Sequence, residues 1–152
     1  MIIGSLDTQD LAPQYSHMSE QVPVEFAGPT IIIEAPHGQY QAAALALAGV
    51  FAQEADLTTL VNDPRVLIIA PDPESPLVTL EHVKRIQQHF RYKTTNHTGL
   101  IAVVVDATQL SIAVQNALLK TTEELQSPHH ILFGVQHADQ LLPTIQSRSH
   151  IM

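Results

Sequence analysis

The chain has 152 residues, a formal net charge of −8 and no cysteine. This length is typical of one domain with a substantial core, and the lack of cysteine excludes disulfides and thiolate metal sites. Fifteen acidic residues against seven basic ones have the wrong sign for a protein that binds the DNA backbone by itself. We therefore expect contact with DNA only indirectly, through partners.

Hydrophobic residues make up 45% of the sequence. No apolar run approaches the roughly 18 residues of a membrane span. The Met1-Ile-Ile start has neither the positive region nor the apolar region of a secretory signal. The sequence predicts a soluble, cytoplasmic protein that does not enter a membrane.

Residues 1–28 have weak periodicity, mixed Pro, Gly, Ser and Gln, and one possible short helix near Thr8–Ser19. They predict an N-terminal leader that packs on a domain formed by residues 29–152. From Thr30 onward, apolar runs of strand length alternate with segments of helical period. That alternation is typical of βαβ units, and it predicts an α/β fold around a parallel sheet.

Five aliphatic runs are rich enough in β-branched residues to form buried strands. They are residues 30–34, 66–70, 100–105, 131–135 and a short run at 150–152. Between them, helical spacing predicts helices at residues 39–53, 79–91 and 110–126, with a short helical turn at 139–147. Thr79 is the expected N-cap of the second helix, with Leu80, Val83, Ile86 and Phe90 on its apolar face.

The turn after the first strand lies where phosphate loops lie, because backbone N–H groups and a helix N-terminus together attract an anion. Over residues 35–42, only the spacing of the pattern G-x-x-x-x-G-K-[ST] survives, and Gly38 lies at one of its unspecified positions. The substitutions are Ala35 for the first glycine, Tyr40 for the last, Gln41 for the lysine and Ala42 for the magnesium-binding hydroxyl. Tight ATP binding is not expected. These residues alone leave open a βα turn unrelated to any nucleotide site.

Residues 105–124 (VDATQLSIAVQNALLKTTEE) resemble the second acidic motif and following helix of bacterial clamp-loader subunits, D-E-A-D-x-L-S and then N-A-L-L-K-T-L-E-E-P. Residues 131–149 are similar to the family's sensor strand and its L-L-P-T-I-R-S-R-C ending. Residues 63–72 and the helix after them resemble the segment between the two nucleotide motifs. The resemblance covers about residues 30–152 and is strongest to the delta-prime type of DNA polymerase III subunit, whose nucleotide site is commonly degenerate.

The family belongs to the AAA+ class, so the resemblance implies a five-stranded parallel sheet of order 5-1-4-3-2, flanked by helices. Family members continue into a helical lid and a helical collar, which are absent from a sequence that ends at Met152. A fragment of a longer protein and a minimal version of the family are both open interpretations.

Alignment on Asn116 places Val105 at the family's magnesium-associated aspartate and Asp106 at the following acidic position. It also places Val135 at the polar sensor position. The resemblance therefore implies no catalysis by the chain itself and no bound cofactor, since Asp106 has no metal or phosphate to act on. A carboxylate placed at a helix N-terminus for its dipole is the alternative role for Asp106.

Arg148 matches the arginine that family members present to ATP on the neighbouring subunit, with Ser147 and Ser149 beside it. The resemblance implies an arginine finger that acts in trans, and clamp-loader ATPase subunits as partners in a hetero-oligomer. Ser149 stands where the family has cysteine. The alternative is a surface arginine paired with a carboxylate.

Other functions remain open at this point. Gly38 and the following helix start could still bind a nucleotide weakly, and the chain could be an interaction domain that serves outside replication. No metal site is expected from the nine histidines, because His82 and His89 are two helical turns apart and His129-His130 lies in a loop without a carboxylate pattern. The basic residues Lys84, Arg85, Arg91 and Lys93 predict a solvated helix face.

Overall fold

The computed structural model describes residues 1–19, 28–75, 77–92 and 99–152. Lys93 and the end of the predicted leader lie outside these ranges. The strands are β1 (Ile2–Ile3), β2 (Thr30–Glu34), β3 (Val66–Ile69), β4 (Ile101–Val104), β5 (His130–Val135) and β6 (His150–Ile151). The helices are α1 (Thr8–Ser19), α2 (Tyr40–Ala52), α3 (Leu57–Asn62), α4 (Leu80–Phe90), α5 (Ile112–Glu124) and α6 (Pro143–Gln146), with a 3₁₀ turn at Ala138–Gln140.

The described strands form one parallel sheet in the order β1-β3-β4-β5-β2-β6. The prediction of five strands is wrong, because Ile2 and Ile3 pair with Ile68 and Ile69 and add a strand at the edge of the sheet. Two residues are too short to show a periodic pattern. The five expected strands keep the order 5-1-4-3-2 among themselves, since they correspond to β6-β2-β5-β4-β3.

The sheet is covered by helices on both faces, and its central strands are buried accordingly. Every residue of β3 and β4 is buried. In β2 the alternation of side chains divides the core, because Ile31 and Ile33 pack with α2 and α3 whereas Ile32 packs with α4 and α5. Because the described strands are parallel, their carboxyl ends lie along one side of the sheet, which we call the carboxyl edge. Their amino ends lie along the opposite side, the amino edge.

Helix α1 packs on α2, where a glycine makes the close approach possible. A Cβ at Gly49 would lie 1.9 Å from the Tyr15 hydroxyl oxygen, which itself donates to the Glu54 carbonyl. Helix α3 was not predicted, although Asp56 caps it by accepting from the Thr59 N–H at 3.0 Å. None of the helices in the described ranges is long and apolar enough to cross a membrane.

Two of the helical predictions, for residues 79–91 and 139–147, need correction in detail. Thr79 is the N-cap of α4, and its N–H donates to His82 Nδ1 at 2.9 Å, but Leu80 is 52% exposed rather than part of the apolar face. The predicted turn at 139–147 is divided into the 3₁₀ turn and α6. Leu141 is buried between these two pieces, and Pro143 starts the second one.

Candidate functional site

In the loop between β2 and α2, two backbone N–H groups form hydrogen bonds within the protein. The Ala35 N–H donates to the Val135 carbonyl at 3.1 Å, and the Gln39 N–H donates to the Pro36 carbonyl at 2.9 Å. Gly38 has a φ of +84°, a conformation that favours glycine. A phosphate loop needs its N–H groups free to face the anion, and these two are already used.

Tyr40 begins α2 at the position of the family's last loop glycine. Its side chain is buried, and its hydroxyl donates to Asp106 Oδ2 at 3.1 Å. Burial raises the pKa of the Tyr40 hydroxyl, and the neighbouring Asp106 charge raises it further. The tyrosine therefore connects the loop to the second acidic motif.

Asp106 is also bound from its other side. Its Oδ1 accepts from the Thr108 N–H at 3.1 Å and from the Thr108 hydroxyl at 2.6 Å. Both carboxylate oxygens are thus engaged within the protein. Asp106 is not the N-cap of α5, because that position belongs to Ser111, whose hydroxyl accepts from the Val114 N–H at 3.2 Å.

Three of the other positions that the sequence assigned to the nucleotide motifs are apolar and buried. Ala42, Val105 and Val135 are each 0% exposed, and none has a side-chain oxygen for magnesium or water. Gln41 is neutral and half-buried. Just before the loop, the Glu34 carboxylate accepts from the Ala138 N–H at 2.7 Å and adds negative charge where a triphosphate would need positive charge.

Gly134 in β5 allows α2 to begin against the sheet. A Cβ at this position would lie 2.6 Å from the Val105 carbonyl oxygen and 3.0 Å from the Tyr40 carbonyl oxygen. Both neighbours are backbone atoms and cannot turn away. The sequence analysis missed this residue, although a lone glycine inside a strand signals the close approach of another backbone.

Arg148 lies at the opposite, amino edge of the sheet, between α6 and β6. Its Nη2 forms an ion pair with Glu123 Oε1 at 2.9 Å, and its Nη1 donates to the Thr144 carbonyl at 2.9 Å. The arginine side chain is 40% exposed and that of Glu123 is 50% exposed. The guanidinium is therefore paired with a carboxylate at the surface and remains accessible to solvent.

The neighbours of Arg148 hold α6 in place. The Ser147 hydroxyl donates to the Thr144 carbonyl at 3.1 Å, and the Ser149 hydroxyl donates to the Ile145 carbonyl at 2.6 Å. Helix α6 is tied to α5 by the buried Gln115, whose Oε1 accepts from the Leu142 N–H at 2.6 Å. Gln115 and Glu123 were missed, because the helical pattern alone does not show which α5 residues face α6.

Three of the histidines considered as metal ligands serve the packing of the amino edge. His89 Nε2 lies 3.0 Å from the carbonyl oxygens of Arg65 and Ile101, and burial lowers its pKa. The His130 ring stacks on Phe51 with 3.8 Å between ring centroids, and burial lowers its pKa as well. His129 Nδ1 accepts from the Leu100 N–H. Within the described ranges, no three His, Asp or Glu side chains form a group that could hold a metal ion.

A family model described as DNA polymerase III, delta subunit, matches residues 38–152 of the chain. The chain belongs to this family. The match includes most of the degenerate loop, the second acidic motif and the segment that carries Arg148.

A solved structure shows the same fold. It is a DNA polymerase III gamma subunit-related protein from Thermotoga maritima, which superposes with a TM-score of 0.66 at 21% sequence identity. The match covers 91% of this chain and 45% of that protein, so the chain spans less than half of the relative's length. No curated protein matches the sequence.

Proposed function

We propose that the chain is a non-hydrolysing AAA+ subunit of delta-prime type in a DNA polymerase III clamp loader. In this role it contacts a neighbouring ATPase subunit and presents Arg148 to the ATP bound there. The observation that carries the proposal is the hydrogen bond between the buried Tyr40 and Asp106. It joins the two motifs that an active member uses for nucleotide and water, and it leaves neither available.

Electrostatics support the absence of ATP hydrolysis by the chain itself. A triphosphate needs a lysine, a metal ion and free N–H donors to balance its charge. The chain offers Gln41 in place of the lysine and a buried Ala42 in place of the hydroxyl, next to the carboxylates of Glu34 and Asp106. Accordingly, we propose no cofactor and no enzymatic activity of its own.

The surroundings of Arg148 support a role in trans. An ion pair as exposed as the one with Glu123 stabilises a protein by only about 0–1 kcal/mol. A partner's triphosphate carries more charge and more acceptor oxygens than one carboxylate, so it competes well for a guanidinium. Gln115 holds α6 on α5. Only the side chain of Arg148 therefore has to move to reach the partner's triphosphate.

The partners follow from this arrangement. We propose clamp-loader ATPase subunits as direct partners in a cytoplasmic hetero-oligomer, and contact with DNA only through that complex. The net charge of −8 supports indirect rather than direct DNA contact.

The decisive experiment measures ATP hydrolysis by a clamp loader assembled from the ATPase subunits of the same organism and this protein. Arginine fingers contribute about 10³- to 10⁵-fold in systems where they have been dissected. We expect Arg148→Ala to lower hydrolysis by at least about tenfold while the complex still assembles. Arg85→Ala, a change of another exposed arginine on α4, is the matched control and should leave the rate unchanged.

Two results would contradict the proposal. One is full hydrolysis by the assembled Arg148→Ala complex, which would remove the trans role. The other is ATP binding to the isolated chain with micromolar affinity in calorimetry, which would favour a residual nucleotide site at Gly38 and the start of α2.

A further inference from the structure

A second concave site lies at the amino edge of the sheet, between the C-terminal ends of α4 and α5. The cavity has a volume of about 410 Å³, within the range of small-molecule sites. Its lining includes Phe90, Arg91, Lys120, Thr121, Glu124 and His129. Neither the loop after β2 nor Arg148 contributes to it.

Two cations of this cavity are not used by the fold. In the part of the chain that the structure describes, neither Arg91 nor Lys120 forms an ion pair or donates a side-chain hydrogen bond. By contrast Arg65, Lys84 and Arg148 each pair with a carboxylate. In a chain with a net charge of −8, these two exposed cations lie in one cavity without a carboxylate partner among the described residues.

Beside the cavity lies a hydroxyl that the described residues leave unpaired. Thr121 is 8% exposed, and its Oγ1 is buried without a hydrogen-bond partner among them. Because that oxygen has no accessible surface, it is not open to a molecule in the cavity, and its unpaired state is unfavourable for folding. The adjacent Thr122 shows the usual solution, since its hydroxyl donates to the Leu119 carbonyl at 2.8 Å.

The histidine and the phenyl ring complete the lining. Because His129 Nδ1 accepts from the Leu100 N–H at 2.9 Å, the proton of the neutral ring is on Nε2, which is then a donor. The Phe90 ring lies 6.0 Å from the His129 ring and is half-buried, so it adds apolar surface. Among the described residues that line the cavity, Glu124 is the one carboxylate, so the charge of these residues together is positive.

We propose that this cavity binds a small organic anion, an acid group attached to a flat apolar body such as an aromatic phosphate or carboxylate. The acid group is held by Arg91 and Lys120. The apolar body packs on Phe90. This site is independent of the role proposed for Arg148.

The test is a titration of the whole chain followed by amide NMR shifts, with phenyl phosphate as the probe. Inorganic phosphate and benzylamine are the comparison probes, because the first lacks the ring and the second carries the opposite charge. We expect phenyl phosphate to shift residues around 120–126 and to bind at least about tenfold more tightly than either comparison probe.

Variants then assign the contacts. Lys120→Gln and Arg91→Gln should each weaken phenyl phosphate binding about tenfold, whereas Lys84→Gln, which changes a cation outside the cavity, should leave it unchanged. Thr121→Val removes the buried unpaired hydroxyl beside the cavity, so it should leave phenyl phosphate binding unchanged and raise the melting temperature.

The proposal would be overturned by no binding of phenyl phosphate at millimolar concentration, by equal binding of inorganic phosphate, or by equal losses of binding in the Lys84→Gln and Lys120→Gln variants. Preferential binding of benzylamine would also overturn it, because Glu124 would then be the recognising group.

Discussion

The two edges of the sheet differ in what they leave available to other molecules. At the carboxyl edge, Tyr40 and Thr108 occupy both oxygens of Asp106, and the loop before α2 uses its own N–H groups. At the amino edge, Arg148 is exposed and held by one solvent-accessible ion pair. The difference shows that internal contacts occupy the positions where the sequence led us to look for a nucleotide, whereas the arginine remains accessible to another molecule.

The largest expected effect concerns the closed edge. Gly134→Ala brings a methyl group to 2.6 Å from the Val105 carbonyl oxygen and 3.0 Å from that of Tyr40. We expect a loss of about 2–3 kcal/mol in the free energy of unfolding, typical of overpacking against atoms that cannot move. Urea denaturation measures it. Gly38→Ala is the control, because a Cβ there meets nothing within 4 Å and its φ of +84° costs only about 1 kcal/mol.

The expectation would be contradicted if Gly134→Ala lowered the free energy of unfolding only slightly while Gly38→Ala lowered it strongly. The stability of this edge would then depend on the loop conformation rather than on the contact between α2 and β5.

The sequence predicted the parts of the fold that depend on local patterns. Residues 30–34 form β2 with the expected bounds because the first four, Thr30 to Ile33, are β-branched and buried. Strand β1 was missed because Ile2 and Ile3 become a strand only through pairing with β3. At the site, the substitutions at Tyr40 and Gln41 were visible in the spacing of the loop, whereas the bond from Tyr40 to Asp106 joins residues far apart in sequence.

The same limit applies to Arg148. The motif around it indicated its position, and a surface pair with a carboxylate was one of the two roles considered. The identity of the carboxylate depends on which side of α5 faces α6, and Glu123 and Glu124 are adjacent in sequence. Only Glu123 pairs with the arginine, whereas Glu124 lines the cavity near α4.

A smaller effect is expected for the link between the two nucleotide motifs. Tyr40→Phe removes the hydrogen bond to Asp106 but keeps the ring, so we expect a loss of about 1 kcal/mol in the free energy of unfolding. Burial and the Asp106 charge raise the pKa of Tyr40 in the folded protein, which favours the neutral hydroxyl. The difference between the two proteins should therefore persist below about pH 10 and disappear as the pH rises beyond it.

Denaturation curves from neutral to alkaline pH measure this difference, with Tyr92→Phe as the control because Tyr92 is 72% exposed.

ATP binding by the Tyr40→Phe variant is a second measurement on the same residue. We expect none, since Gln41 and Ala42 remain; micromolar binding would mean that the tyrosine hydroxyl alone had closed the site.

The smallest effect is expected at the open edge. Glu123→Gln removes the charge that pairs with Arg148, and an exposed pair of this kind is worth about 0.5 kcal/mol. The free energy of unfolding should change by no more than that. In the assembled complex the arginine then loses a competitor for the partner's ATP, so hydrolysis at limiting ATP should stay equal or rise by up to about twofold.

Glu124→Gln is the matched control. It removes the same charge from the next residue in the sequence, whose carboxylate does not pair with Arg148. If Glu123→Gln instead lowers hydrolysis as strongly as Arg148→Ala, the carboxylate orients the guanidinium toward the partner rather than competing for it. The ion pair would then be part of the site that acts on the partner's ATP. Glu123 would hold Arg148 in the orientation that this site needs.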